Sequence, residues 1–197
     1  MSWSIENPEE TELLATAVER ALKERILLFC ASNDQGNLTD NTYPSRICPE
    51  KIFKIGSATH LGHRENTAQR NVDFVAPGVE SAIQSIHGDD IGFSGLRSGS
   101  SIATARCAGI AAAILQCIML CQEDHPKDHV RTHANMTQML KKLVDEGDRH
   151  CYLRPWKVFK EAMRNAKMED EYEWNVIRIA ARVFMGTTEL LSRSGTS

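Results

Sequence analysis

Apolar positions Leu13, Leu14, Ala17, Val18, Ala21 and Leu22 recur at the spacing of a single helix face, with Glu19 and Lys23 paired four apart on another. Asn7 offers a capping side chain, Pro8 suits the first helical position, and Glu9, Glu10 and Glu12 sit near the positive end of the dipole. The pattern predicts a helix over residues 7–25 whose apolar face packs on a sheet. Residues 26–31, Ile-Leu-Leu-Phe-Cys-Ala, follow directly as an unbroken apolar run, the mark of a parallel strand covered on both faces. Two further strands are expected at 51–56 and 71–76, the second stopped by Pro77-Gly78. The polar stretches between them, 32–49 and 59–70, are rich in Asn, Gly and His and read as surface loop.

From Ser101 to about Gln122 the chain is small and apolar on all sides, with Ala103, Ala105, Ala108, Ala111, Ala112 and Ala113 among Ile102, Ile110 and Ile114. A helix apolar all round is expected to be buried all round, and Gly109 with the alanines lets neighbouring backbone approach, which puts this helix at the centre of the fold. Beyond Pro126 the pattern stays helical but more polar, over 136–144, from Pro155-Trp156 onward, and over 174–191. Neither linker composition nor an internal repeat cuts the chain into independent domains. The fold class is therefore α/β with a parallel sheet and a helical C-terminal extension.

Composition changes this picture little. With 42% apolar and 25% charged residues, the chain lies in the range of globular domains. A net charge of -3 and a pI near 6.2 give no basic surface for nucleic acid or anionic membrane, so neither partner is expected. The start, Met1-Ser2-Trp3-Ser4-Ile5, runs at once into Asn7-Pro8-Glu9-Glu10 instead of a basic and then apolar leader, which leans towards an intracellular setting. The longest apolar stretch, 108–121, is only about 14 residues against the roughly 20 that span a bilayer, and it contains Gln116. Six cysteines, several within apolar runs, are read as free thiols in a reducing compartment.

Two sets of side chains carry candidate chemistry. Cys117, Cys121, His125, His129 and His133 stand four apart, as metal ligands on one helix face would. Pro126 interrupts that ladder, so the expected reading is two core-facing cysteines followed by exposed histidines, with no metal and no cofactor. The second set is the string Arg97-Ser98-Gly99-Ser100-Ser101-Ile102-Ala103-Thr104-Ala105-Arg106-Cys107-Ala108-Gly109. A serine in the first turn of a buried helix has its own N–H and the positive dipole end near the place where an oxyanion would form.

This string resembles the nucleophile motif of subtilisin-like serine peptidases, the subtilases, in which a Gly-Thr-Ser or Gly-Ser-Ser turn opens a small-residue helix. Three more blocks appear in the family's order. Met1-Ser2-Trp3-Ser4 resembles the strand end that pairs with extended substrate, and Ile26 to Asn37 resembles the strand and turn that present the oxyanion asparagine. Tyr43-Pro44-Ser45, Ile52 to Ala58 and Val72 to Gly78 resemble the strands and the Ala-Pro-Gly stop that precede the serine. The resemblance implies a partial, three-layer subtilisin-like fold over residues 1–122, the C-terminal half of a peptidase domain, with 123–197 as a helical extension similar to that of some fungal subtilases. It implies a serine endopeptidase with Ser101 as nucleophile and Asn33 in the oxyanion hole. Ser2, Trp3, Ser4, Ala31 and Ser32 would bind a peptide or protein substrate.

The sequence departs from the family where Ala105 stands for the usual Pro, Arg106 for a frequent His, and Ser100 for the commoner Thr. A larger departure concerns the triad, which subtilisins order Asp, His, Ser. The oxyanion block here begins within the first 40 residues, ahead of every one of the seven histidines. Asp and His are thus expected from a missing N-terminal half, the chain's implied partner, and the chain alone is expected to be inactive. The other reading is a truncated subtilase remnant that serves as an interaction module.

Overall fold

The computed structural model describes residues 8–33, 43–64, 71–79, 81–87, 90–121, 130–166 and 172–186. Within these, the chain is α/β as expected, with a parallel three-stranded sheet, an antiparallel hairpin and five helices. It divides into two compact units, Met1–Gly109 with Gly147–Leu153, and Ile110–Glu146 with Arg154–Ser197.

In the first unit, helix α1 (Pro8–Lys23) carries Glu9 and Glu10 in its first turn and Arg20 and Lys23 in its last, each sign at the favourable end of the dipole. Val18 is buried and Leu14 and Leu22 pack with it against Cys30 and Ile52. The buried stripe is narrower than the pattern predicts, because Leu13 is 74% exposed and Ala17 also faces out. The helix stops in a left-handed turn at Arg25 (φ 56°), where the Ile26 N–H donates to the Ala21 carbonyl at 2.9 Å and the Arg25 N–H to that of Leu22 at 3.1 Å.

Strands β1 (Leu28–Ala31), β2 (Ile52–Ala58) and β3 (Phe74–Pro77) pair in that order, all parallel, with Leu28 opposite Ile52 and Ile55 opposite Phe74. β3 starts later than expected. The Asp73 carboxylate takes the Lys54 N–H at 2.8 Å while the Asp73 N–H donates to the Lys54 carbonyl at 2.9 Å, so a side chain closes the ladder there. Strand alternation sends Leu28, Cys30 and Ile52 towards α1 and the other set to the opposite face, where Phe29 stacks on Phe53 at 4.8 Å between centroids and Phe74 lies 6.3 Å from Phe53.

Helix α2 (Ser100–Cys121) begins on that second face. A Cβ added at Gly78 would lie 2.8 Å from the Ser57 Cβ and 3.1 Å from that of Ala103, which places the first turns of α2 against the sheet. Helix, sheet and helix make the three layers. Ala103, Cys107, Ala111, Ile114 and Ile118 are buried, whereas Ala105, Ala112 and Ala113 are exposed and Met119 and Leu120 are 40% and 43% exposed. The expectation of burial on all sides is corrected: side chains this small and uniform hide which face is inward. The helix also has 22 residues, long and apolar enough to cross a bilayer, where the sequence count stopped short. Its N-terminal turns are tied instead to strand ends, as described below.

Two elements of this unit were not read from the sequence. β4 (Ser81–His87) and β5 (Asp90–Arg97) form an antiparallel hairpin. A register irregularity between Ala82 and Gln84 breaks the two-residue period that would have announced it. Residues 147–153, expected within a helical extension, add a parallel bridge from Tyr152 to Val75, with the Val75 N–H donating to the Cys151 carbonyl and the Leu153 N–H to that of Val75. Tyr152 is buried and its hydroxyl donates to the His60 carbonyl at 3.0 Å.

The described residues of the second unit are mainly helical. α3 (His133–Lys141) is capped by the Thr132 side chain, which accepts from the Asn135 N–H at 3.2 Å, and buries Met136, Met139 and Leu140. α4 (Pro155–Asn165) starts at Pro155 and α5 (Tyr172–Met185) packs against it, with Phe159 edge-on to Phe184 at 6.1 Å. Asp145 accepts from both Arg154 and Lys157 at 3.2 Å.

Candidate active site

In a parallel sheet the carboxyl ends of the strands lie along one edge, where open α/β folds build their sites. Ser32 and Asn33 follow β1, and Gly78 follows β3. The N-terminus of α2 bridges these two ends. The Ser100 hydroxyl donates to the Ser32 carbonyl at 2.6 Å, across 68 positions of sequence, and the Gly99 N–H donates to the Gly78 carbonyl at 2.9 Å. The Ser101 side chain is exposed in the first turn, while Ser100 beside it is 2% exposed. One serine is thus available for chemistry and its neighbour is committed to structure.

Asn33 is half-buried and directly follows Ser32 as Ser101 follows Ser100, so a buried hydrogen bond lies one residue from each. Ala31 and Ser32 are buried, and both Ser32 backbone groups are engaged, the N–H with the Ile55 carbonyl at 2.9 Å and the carbonyl with Ser100. Ser2, Trp3 and Ser4 lie outside the described residues. The turn before the serine is shaped by Gly99, whose φ of 151° is a conformation that L side chains rarely adopt.

Sequence reasoning read Ser100 only as part of a motif and Gly78 only as a strand stop. The structure makes both of them joints. Thr104 donates to the Ser100 carbonyl at 2.8 Å and Arg106 donates to the Pro77 carbonyl at 2.9 Å, so four residues near the serine hold its turn in place. Replacing Ser100 by Ala leaves the buried Ser32 carbonyl without this donor. The expected cost is about 1–3 kcal/mol. That corresponds to a fall in Tm of roughly 2–4 °C per kcal/mol for a chain this size, read by thermal denaturation, whereas Ser100→Thr, which keeps the hydroxyl, is expected to retain most of the stability.

Burial pushes the Cys107 thiol up to about 12, with the nearby Asp73 carboxylate adding to the effect. The unfolded thiol ionises near 9, so between these values the unfolded chain loses a proton that the folded chain keeps. Stability from this group is therefore intact below pH 9 and falls as pH rises towards 12. Urea titrations at stepped alkaline pH are expected to show that slope, and Cys107→Ala to flatten it. Lys54 is shifted down by burial, with Cys30 and Asp73 partly opposing.

Of the spaced cysteines and histidines, Cys117 and Cys121 lie on α2, His133 opens α3, and His125 and His129 fall outside the described residues. Among the described residues no group of three or more His, Cys, Asp or Glu side chains is placed to hold a metal.

The first unit is thus an α/β arrangement in which a serine-led helix sits at the carboxyl edge of a parallel sheet. The chain is similar to an intracellular serine protease from Paenibacillus polymyxa, 33% identical over 122 residues, which cover 59% of this chain and 36% of that protein. Among solved structures it shares the fold of the patellamide maturation protease PatA (TM-score 0.56, 19% identity, 87% of this chain and 56% of that one) and of the prenylagaramide maturation protease PagA (TM-score 0.52, 18% identity, 71% and 52%). The chain spans little more than half of each solved protease and about a third of the curated relative. No protein-family profile matches it.

Proposed function

We propose that this chain is the C-terminal half of a subtilisin-like serine peptidase domain, acting by acyl transfer to Ser101. The observation that carries the reading is the 2.6 Å bond from Ser100 to Ser32, which joins the serine's turn to the asparagine's. In this reading Ser101 attacks the scissile carbonyl, and Asn33 with the Ser101 N–H receives the developing oxyanion. An amide at a strand end is suited to that task because it donates to charge without a cation having to be buried, and losing one such donor costs about 10²–10³ in kcat in a subtilisin.

The substrate is a peptide or protein, held by Ser2, Trp3, Ser4, Ala31 and Ser32. Asp and His come from a preceding half of the domain, which is the chain's structural partner. The peptidase part extends over residues 1–122 and the helical part over 123–197, the latter akin to extensions of fungal subtilases. The name of the Paenibacillus relative favours an intracellular setting, in which the six free cysteines stay reduced. A second reading, an inactive remnant serving as an interaction module, draws support from the exposed Leu13, Met119 and Leu120.

The two separate on one experiment. A serine-directed phosphonate is offered to a longer polypeptide that supplies the preceding half of the domain. The peptidase reading expects covalent labelling at Ser101 that disappears in Ser101→Ala; absence of labelling in a folded, complete domain would leave the interaction module.

A further inference from the structure

We propose that Arg106 is a positioning residue for Ser101, a role that rests on the peptidase reading and that arises from how one peptide group is held. The peptide unit between Pro77 and Gly78 is gripped at both ends. Its carbonyl accepts from the Arg106 Nη1 at 2.9 Å, and its N–H donates to the Ala58 carbonyl at 2.8 Å. The next carbonyl, that of Gly78, takes the Gly99 N–H at 2.9 Å, and Gly99 leads through Ser100 into Ser101.

A peptide plane that adjoins a glycine turns easily, since glycine lacks the Cβ that restricts its backbone. Proline fixes its own φ but not the ψ that precedes this plane. With both ends of this plane bonded its rotation is blocked, and the next plane, which carries the Gly78 carbonyl towards Gly99, continues from it with its own Val79 N–H donating to the same Ala58 carbonyl at 3.1 Å. The Ala58 bond comes from within the strand framework, so it is built into the sheet. The Arg106 bond is the external one, crossing 29 positions from an exposed side chain on the same helix that carries the serine. α2 thus secures the platform on which its own first turn rests. Arginine suits this reach because a long stem carries a guanidinium with several fixed donors, and this is a position where the subtilase pattern often has histidine.

Being exposed, Arg106 can be replaced without opening the core. In Arg106→Gln, amide exchange at Gly99 is expected to speed up by about tenfold, the worth of one charge-assisted bond, with exchange at Ala111 and Ile114 unchanged. In the complete peptidase domain the same substitution is expected to lower kcat by about three- to tenfold with KM within twofold, since a misplaced nucleophile weakens the transition state more than substrate binding. Arg106→Lys, which keeps a donor, should recover part of both effects, and Arg164→Gln on α4 should produce neither. Unchanged exchange at Gly99 would overturn the proposal, as would a loss carried by KM or a lysine variant no better than glutamine. Should Gly99 exchange respond while Ser101→Ala leaves peptidase activity intact, the peptidase reading fails and the role assigned to Arg106 goes with it.

Discussion

Assayed by itself, this chain is expected to show negligible peptidase activity, even though Ser100 and Ser32 hold the serine's turn beside that of Asn33. A serine hydroxyl at neutral pH is a poor nucleophile unless a base takes its proton. In the Asp, His, Ser order of subtilisins that base precedes the oxyanion asparagine, whereas the first histidine here is His60. Loss of the histidine alone costs a subtilisin about 10⁶ in kcat, leaving roughly 10³–10⁴ over the uncatalysed reaction from binding and the oxyanion hole. Joining the preceding half of the domain, in one polypeptide or as a separate one, is expected to restore cleavage by several orders of magnitude, and Ser101→Ala in that complete form to remove it. Robust hydrolysis by the present chain would refute the fragment reading. Labelling that survives with alanine at 101 would refute the nucleophile.

The second large effect is structural. Gly78→Ala is expected to destabilise the fold by about 2–3 kcal/mol, the range of an overpacked core, lowering Tm by roughly 5–10 °C. The added Cβ would lie 2.8 Å from both the Gly99 carbonyl oxygen and the Ser57 Cβ, and 3.1 Å from the Ala103 Cβ. None of these is the far end of a flexible side chain, so backbone must move. What moves is the contact that seats the serine's turn, and activity in a complete domain should fall further than stability alone explains. Gly109→Ala on the same helix is the control. Nothing stands within 4 Å of a Cβ there, and a small gain is expected from better helix propensity. Equal denaturation midpoints for the two variants would show that the close approach at Gly78 is relieved at no cost.

The sequence by itself determined α1, β1 to β3 and α2 and their order, though not the β4–β5 hairpin, whose register irregularity breaks the strand period. The apolar face of α1, the apolar runs of β1 to β3 and the Pro77-Gly78 stop are encoded in residues near one another, and the strands were legible to within a few positions. Ser101 and Asn33 were singled out because a motif carries each of them, while nothing in periodicity states that the residues before them, Ser100 and Ser32, are bonded. Tertiary structure alone decided which face of α2 is buried, since a run of alanines and isoleucines has no polar side to reveal it. It also decided that Tyr152 adds an edge to the sheet from within a helical region, because that bridge depends on Val75, far away in the chain. The joints of the site are of the same kind. Ser100 with Ser32, Gly99 with Gly78 and Arg106 with Pro77 each pair a backbone carbonyl with a donor distant in sequence, and every residue offers the same carbonyl whatever its side chain. Only the packing of helix on sheet selects which carbonyl is taken.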